Sequence, residues 1–444
     1  MFPSECVLER RVRSDGDKEL ADPSLPLFIL KCEHRKADRY ELDPYDYNQT
    51  LQGMVIGVCL ADAPAAVSYL VILGAGVYAQ IAAVDKTLIV IKLSFAGTGG
   101  RLSYLIYDAV ALSLRLIPLQ PRDPNWAYTL SYNISIARPY QGDATYALVH
   151  TGQLAGPEPQ EGDSLYLWRP SSSSSPPWSE RKQCSFPEDW ITNKIDMEFS
   201  FYGQAYWVDL VCGVSFCCCD ALFDDNSGPA VQFGFIPLPL EERGHYRNLK
   251  LLAQPSAYRT MGVVSDSFIR FVSIDGFMYP VKLKNRTVTV WKLSCDDQDD
   301  PWELEHEFSL KMLWGFEGFA DLPKDLTPMY PLLSTKDTDV IYLALGECFE
   351  SIYKSFRKFI PCSARYLLAI DMQKKIVTSV PLAHWIPDQH VSCGFSRYLR
   401  DALVGPCNDE GIPSTKDEPR LHGGEAPNPQ YPIPTEKKNN KRRR

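Results

Sequence analysis

Two segments of the chain repeat one arrangement, and that arrangement narrows what the fold can be. Leu165-Tyr166-Leu167-Trp168-Arg169 is a short alternating strand ending at a Trp; a serine- and proline-rich loop follows, then Trp178 and Phe186. Val288-Thr289-Val290-Trp291-Lys292-Leu293 is a strand of the same kind, followed by an acidic loop, Trp302 and Phe308. The two leading Trp residues stand 123 positions apart, three times 41. A period of about 40–45 residues is the length of one four-stranded propeller blade. The spacing predicts an all-β chain: a β-propeller or propeller-like ring of about five to six antiparallel blades.

Composition agrees with a large core. Of 444 residues, 45% are hydrophobic, and the 23 Tyr, 20 Phe and 9 Trp favour pleated, half-buried strands. The net charge of −9 hides an asymmetry. Lys437, Lys438, Lys441, Arg442, Arg443 and Arg444 carry +6 at the C-terminal end, which leaves −15 for the rest. An acidic body repels phosphate backbones, so nucleic acid is not an expected partner of the body. The basic end is a candidate nuclear import signal. The 13 Cys are irregularly spaced and the N-terminus lacks a basic-then-apolar leader, so free thiols and a cytoplasmic or nuclear location are expected.

Turn residues divide the chain. Residues 1–24 read as a loose leader, 25–404 as the ring, and 405–444, rich in Pro, Gly and charge, as a disordered tail. The run Ala65 to Val84 is long and uncharged enough to span a membrane. Gly74-Ala75-Gly76 at its middle and its strand-forming residues favour a hairpin instead, so no membrane is expected. Thr87 to Leu93, Tyr104 to Asp108 and Leu112 to Leu119 complete a first unit. Further units are expected over 127–186, 197–239, 259–318 and 328–383, and a sixth blade can close by pairing N-terminal with C-terminal strands. Tyr107-Asp108 before Ile117-Pro118-Leu119, Cys219-Asp220 before Ile236-Pro237-Leu238, and Asp371 before Ile376-Val377 read as hairpins whose turn follows an Asp. One segment breaks the pattern. Cys348 to Ile360 places Phe349, Ile352, Tyr353, Phe356 and Ile360 at helical spacing, which predicts one short helix packed on a blade edge. Lys354, Arg357 and Lys358 on its other side are candidate partner contacts, as is Trp178, whose Ser171-to-Pro177 flank predicts exposure.

Three motifs then stand out. Tyr206-Trp207-Val208-Asp209-Leu210-Val211-Cys212-Gly213-Val214-Ser215-Phe216-Cys217 is followed by Phe235-Ile236-Pro237-Leu238-Pro239. Asp321-Leu322-Pro323, Pro328, Pro331-Leu332-Leu333-Ser334 and Asp337-Thr338-Asp339-Val340-Ile341-Tyr342 come after. The set resembles a plant family, expanded in grasses, known as domain of unknown function 1618. The resemblance covers about 200–380 well, and Leu60 to Leu70 extends it, so the family-matching part is about 60–383. The family is similar to F-box-associated propellers, and some members carry an F-box; this N-terminus lacks an F-box-like helical pattern. The resemblance implies a propeller-like fold and supplies no catalytic or binding residues.

The remaining clusters favour structural roles. Cys212, Cys217, Cys218 and Cys219 suggest a metal site at first sight. On a strand, Cys217 and Cys219 share one face and Cys218 takes the other, and no C-x-x-C pair or nearby His completes a zinc set. Asp296 to Asp300 lacks the Gly and terminal Glu of a calcium loop. No nucleophile, phosphate-loop or zinc-hydrolase motif is present. No catalytic residue, cofactor or metal is therefore expected. The sequence favours a non-catalytic protein-binding module or adaptor with an unidentified protein partner. The alternatives are a hydrolase or lyase with its site in the propeller channel, and an F-box-less component of a ubiquitin-ligase complex.

Overall fold

The structure is a computed structural model. It describes residues 5–9, 11–14, 27–38, 47–61, 63, 67–74, 77–95, 102–118, 128–130, 134–139, 145–154, 164–170, 178, 180–185, 195–224, 230–242, 254–275, 282–294, 301–353, 356–382, 390–393, 399 and 403–406. The chain divides into Met1–Pro406 and Cys407–Arg444; the second part lies outside the described residues, and with it the six cationic residues of the C-terminal end.

The first part is built from strands in chain order. It opens with β1 (Cys6–Glu9), β2 (Arg11–Ser14), β3 (Leu27–Leu30), β4 (His34–Ala37), helix α1 (Tyr47–Gly53), β5 (Val55–Cys59) and β6 (Tyr69–Leu73). There follow β7 (Val77–Asp85), β8 (Leu88–Phe95), β9 (Leu102–Asp108) and β10 (Ser113–Pro118). Next come β11 (Tyr128–Leu130), β12 (Ser135–Ala137), β13 (Ala147–Leu154), β14 (Ser164–Trp168) and β15 (Glu180–Ser185). Then β16 (Met197–Phe201), β17 (Gln204–Asp209), β18 (Gly213–Cys218), helix α2 (Cys219–Phe223), β19 (Val231–Gln232) and β20 (Gly234–Pro237). The last full sheets are β21 (Arg259–Val264), β22 (Phe268–Ile274), β23 (Thr287–Leu293) and β24 (Trp302–Ser309), then, after helix α3 (Leu310–Leu313), β25 (Thr327–Leu333), β26 (Val340–Tyr353), β27 (Phe356–Asp371) and β28 (Ile376–Pro381). Strands β29 (His390–Cys393) and β30 (Leu403–Pro406) end the described chain.

Pairing sorts these into six successive sheet units among the described residues. Sheets IV (β16-β17-β18-β20), V (β21 to β24) and VI (β25 to β28) are four-stranded antiparallel meanders. Sheet III holds β11 and β12 on β13, then β14, β15 and β19. The first ten-stranded sheet is a curled ribbon: β30-β3-β5-β6 forms unit I, β7-β8-β9-β10-β4 forms unit II, and β2 joins them, parallel to β6 and antiparallel to β7.

Period-two alternation decides how the units stack, because successive side chains of a strand face opposite ways. In β8, Ile89, Ile91 and Leu93 pack into the seam between I and II, while Leu88 and Val90 pack toward III. In β14, Tyr166 and Trp168 face II, while Leu165 and Leu167 face IV. In β17, Ala205 and Trp207 face III, while Tyr206 and Val208 face V. Phe271 and Trp291 of sheet V face IV, while Val272, Ile274, Val288 and Val290 face VI. Val7 of β1 packs with Tyr342 and Leu367 of sheet VI, and Cys6 and Leu8 pack with sheet I. The seams thus run I–II, II–III, III–IV, IV–V, V–VI and back to I. First strands neighbour one another in turn, β7 with β12, β12 with β16, β16 with β21 and β21 with β25. The fold is all-β and propeller-like, and its closure pairs β1 with β29 and β3 with β30, the N-terminal strands with the C-terminal ones.

Four expectations need correction. Trp168 and Trp291 lie two sheets apart, so their 123 positions mark about 61 residues per sheet rather than 41; the connections between strands are longer than a minimal blade needs. Residues 5–9 and 11–14 are not a loose leader, since Cys6, Val7 and Leu8 are wholly buried. The strands on either side of Gly74 form, but they do not pair with each other: β2 is inserted between them. The helix expected over 348–360 is absent. β26 and β27 run on as one long hairpin, with Phe349 opposite Ile360, Ile352 opposite Arg357 and Tyr353 opposite Phe356. The aromatic and β-branched residues that gave helical spacing also favour strands. Extending an existing ladder satisfies the backbone without a new helix nucleus.

Candidate functional site

The seam between sheets IV and V is lined by aromatic rings in register. Phe199 lies opposite Tyr206, Tyr206 opposite Phe216, and Phe216 opposite Gly234. The Phe199 and Tyr206 rings stack at 5.1 Å, and Tyr206 and Phe216 follow at 5.8 Å. Gly234 makes the ladder possible: a Cβ there would lie 2.3 Å from the Phe216 ring. Sheet V answers with Met261, Ile269, Phe271, Trp291 and Trp302. Phe271 and Trp302 meet edge to face at 6.0 Å, and Trp302 Nε1 donates to Pro237 O at 2.8 Å across the seam. The pair of Trp291 and Trp302 that marked the sequence thus forms part of one wall of this seam.

Partial cover runs along the seam and gathers toward one end, its open end: Phe201, Phe216, Val263 and Leu293 are only partly covered there, as are Met197, Phe199 and Ile236 farther along, while Val208, Leu210, Val214, Leu238, Ile269 and Phe271 are buried. At the open end β16 turns into β17 through Tyr202 and Gly203, at φ 45° and 72°. Two positive φ values between the paired Phe201 and Gln204 are a tight turn that prefers Asn-Gly. A Tyr there costs on the order of 1 kcal/mol in backbone strain. It is nonetheless 62% exposed, with its ring 4.4 Å from Phe201. The Cys219 amide at the start of α2 fixes the turn by donating to Gly203 O at 2.8 Å.

At the closed end the polar groups bind the sheets together. Arg259, 1% exposed, donates to Leu210 O at 2.9 Å and to the Glu242 carboxylate at 2.7 Å. That carboxylate also accepts from Ser273 and Thr289 hydroxyls at 2.9 and 3.0 Å. Similar arginines cross other seams. Arg115 grips Asp38 and Pro170 O, Arg138 pairs with Asp85, Arg169 donates to Leu222 O, and Arg270 joins Glu305 to Thr338 O. Burial raises the Asp275 carboxyl and lowers the Arg286 guanidinium near the same end. These staples were missed in the sequence; the signal was a lone Arg inside an apolar alternation, as in Phe268-Ile269-Arg270-Phe271.

The residues singled out from sequence do not converge. Trp178 is 4% exposed, not an exposed contact: its ring lies 4.8 Å from His150 and 5.9 Å from Tyr104 in the seam between II and III. Its polar flank suggested a surface loop, but an indole gains more by filling an apolar seam. Lys354 lies outside the described residues, and Arg357 and Lys358 sit on a strand, so the helical face meant to group the three does not exist. Asp296 to Asp300 and the cationic C-terminal end also lie outside the described residues. Cys217 and Cys219 are buried and Cys218 is exposed. Burial pushes the Cys219 thiol up to about 12 and raises Cys217 as well. Among the described residues, no group of three or more His, Cys, Asp or Glu is placed to hold a metal, and no helix is long and apolar enough to cross a membrane.

The sequence model of a family described as a protein of unknown function, DUF1618, matches residues 207–342. This match supports the DUF1618 family. The matched segment starts at Trp207 in β17, takes in all of sheet V and ends at Tyr342 in β26, so the open seam lies largely within it. No curated protein matches the chain. Similar solved structures include a variant of the Synechocystis apocarotenoid oxygenase, at 11% identity and a TM-score of 0.29, covering 64% of this chain and 58% of that one. The chain therefore spans less than two thirds of that oxygenase. The WD40 domain of SCAP from fission yeast follows at 7% identity and a TM-score of 0.28, with coverages of 75% and 72%. Human WBSCR16 is similar at 8% identity and a TM-score of 0.31, with coverages of 83% and 98%. The fold described above stands on the pairing of this chain's own strands.

Proposed function

We propose that this chain is a non-catalytic protein-binding module that receives an apolar segment of its partner at the open end of the seam between sheets IV and V. One observation carries the reading. A large aromatic, Tyr202, is held exposed on a strained turn with its ring against Phe201, which belongs with Phe216, Val263 and Leu293 to the part of the seam that the fold leaves partly uncovered. Exposed aromatics beside half-covered apolar walls are typical anchors of protein interfaces. The buried ion pairs support the same reading, since Arg259–Glu242, Arg270–Glu305, Arg138–Asp85 and Arg115–Asp38 tie strands to strands or to the turns that flank them.

The test places a photo-crosslinking residue at position 202 and, as control, at Met312, which is 50% exposed on α3 in the connection between sheets V and VI, away from the turn. A partner captured from position 202 and not from 312 is the expected result. In the protein without a crosslinker, Tyr202→Asn, which suits the turn, should weaken pull-down of the captured partner while leaving the melting temperature unchanged or higher. Equal capture at both positions refutes the reading. Ubiquitin-ligase subunits among the captured proteins would extend it to a ligase component.

A further inference from the structure

The seam between sheets VI and I differs from the others in how it is joined. Its buried apolar residues are Val7, Tyr342 and Leu367, and most of what packs on them is only partly covered. The strand that fills it, β1, is four residues long. Val7 packs toward sheet VI, and Cys6 and Leu8 toward sheet I. Its backbone is held on one side by the antiparallel ladder with β29 and on the other by Ala63 N donating to Glu5 O at 3.4 Å, Ser68 N donating to Val7 O at 2.8 Å and Glu9 N donating to Ser68 O at 2.9 Å.

Ahead of the strand, the Glu5 carboxylate is 95% buried, with a relative exposure of 5%. It accepts from Ser334 Oγ at 2.7 Å, Tyr342 OH at 2.9 Å, Thr335 Oγ1 at 3.1 Å and the Thr335 amide. Ser334 is itself fixed by accepting from the Lys336 and Asp337 amides at 3.2 and 2.9 Å. Burial and the adjacent Glu5 raise the Tyr342 hydroxyl, which keeps its proton available for donation. Ser334 and Tyr342 are the ends of the Ser334-to-Tyr342 motif seen in the sequence, and no chemistry has otherwise been attached to them. Hydrogen bonds to a charged group are the strong kind, yet each donor here is neutral and is satisfied by water once the carboxylate leaves.

We propose that β1 is an exchangeable closing strand and that Ser334, Thr335 and Tyr342 form the receptor for its leading carboxylate. The occupant is the chain's own N-terminal segment: a carboxylate followed by three apolar residues. When it leaves, the amides of Ala63 and Ser68 on one side and the edge of β29 on the other lose their partner at the VI–I seam, and such edges are where an extended segment adds. The other seams are joined by broader apolar clusters, one of which also takes in Cys6 and Leu8 of β1.

Hydrogen exchange on the full chain tests the device. Amides of β1 and those of Ala63 and Ser68 should exchange well before those of β22 and β23. Tyr342→Phe should speed the first group about tenfold or more, the loss of one hydrogen bond to a charged group, and leave the second group unchanged. A fluorescent peptide of residues 1–9 added to the unaltered protein should bind slowly, at the rate of strand release, and the same peptide carrying Glu5→Gln should bind at least tenfold more weakly. Exchange of β1 as slow as that of β22 overturns the proposal. So does equal binding of the two peptides, a measurement that does not depend on any variant folding.

Discussion

Arg259→Met removes the staple between sheets IV and V while keeping most of the apolar stem. In the folded chain it strips Leu210 O of a donor at 2.9 Å and leaves the Glu242 carboxylate, 13% exposed, without its cation. Ser273 and Thr289 still donate to that carboxylate, so it is not bare. Breaking a buried ion pair by removing one partner costs about 3–5 kcal/mol. For the part Met1–Pro406, an unfolding entropy of about 2.1 cal/mol/K per residue turns about 4 kcal/mol into a fall of about 5 °C in Tm. Adding Glu242→Gln removes the stranded charge, so the double variant should recover a good part of the loss instead of compounding it. Thermal unfolding followed by circular dichroism measures both. A single variant within about 1 °C of the parent protein, or a double variant as poor as the two losses combined, refutes the claim that this pair holds the sheets together.

Two further outcomes follow from the same structure. Gly234→Ala places a Cβ 2.3 Å from the Phe216 ring and should lower stability by about 1–3 kcal/mol in urea unfolding, with Phe216→Leu restoring part of it. Burial raises Tyr104, Tyr107, Tyr146, Tyr342 and Cys217, and Cys219 to about 12. Above about pH 9 the unfolded chain sheds these protons and the folded chain keeps them, so the unfolded state binds fewer protons and stability falls as pH rises. The urea midpoint should therefore be lower at pH 10.5 than at pH 8, and a flat profile would contradict the burial of these groups.

Some of this architecture was legible in the residues. Strand positions over 88–118, 197–237, 259–309, 327–347 and 361–381 followed from alternation and from Pro and Gly at the turns, because both act within a few residues. Asp108 and Asp371 close hairpins as expected: Asp108 accepts from the Val110 amide at 3.0 Å and Asp371 from the Lys374 amide at 2.8 Å. In sheet IV that part is taken by Asp209, which accepts from the Val211 amide at 2.9 Å, while Asp220 opens α2. The candidate site was less legible. Trp178 follows Pro176-Pro177 and Tyr202 precedes Gly203, both turn-like settings in the sequence, yet one aromatic is buried and the other exposed.

What the sequence determined alone is the local grammar: where most of the strands lie and where they turn. That grammar is short-ranged and does not say which strand lies beside which. Only the tertiary structure set β2 between β6 and β7, carried Glu5 across the chain to Tyr342, and turned one seam outward beneath Tyr202. Each depends on contacts between residues far apart in the chain, whose energy depends on the shape of the closed ring and on no single segment's composition.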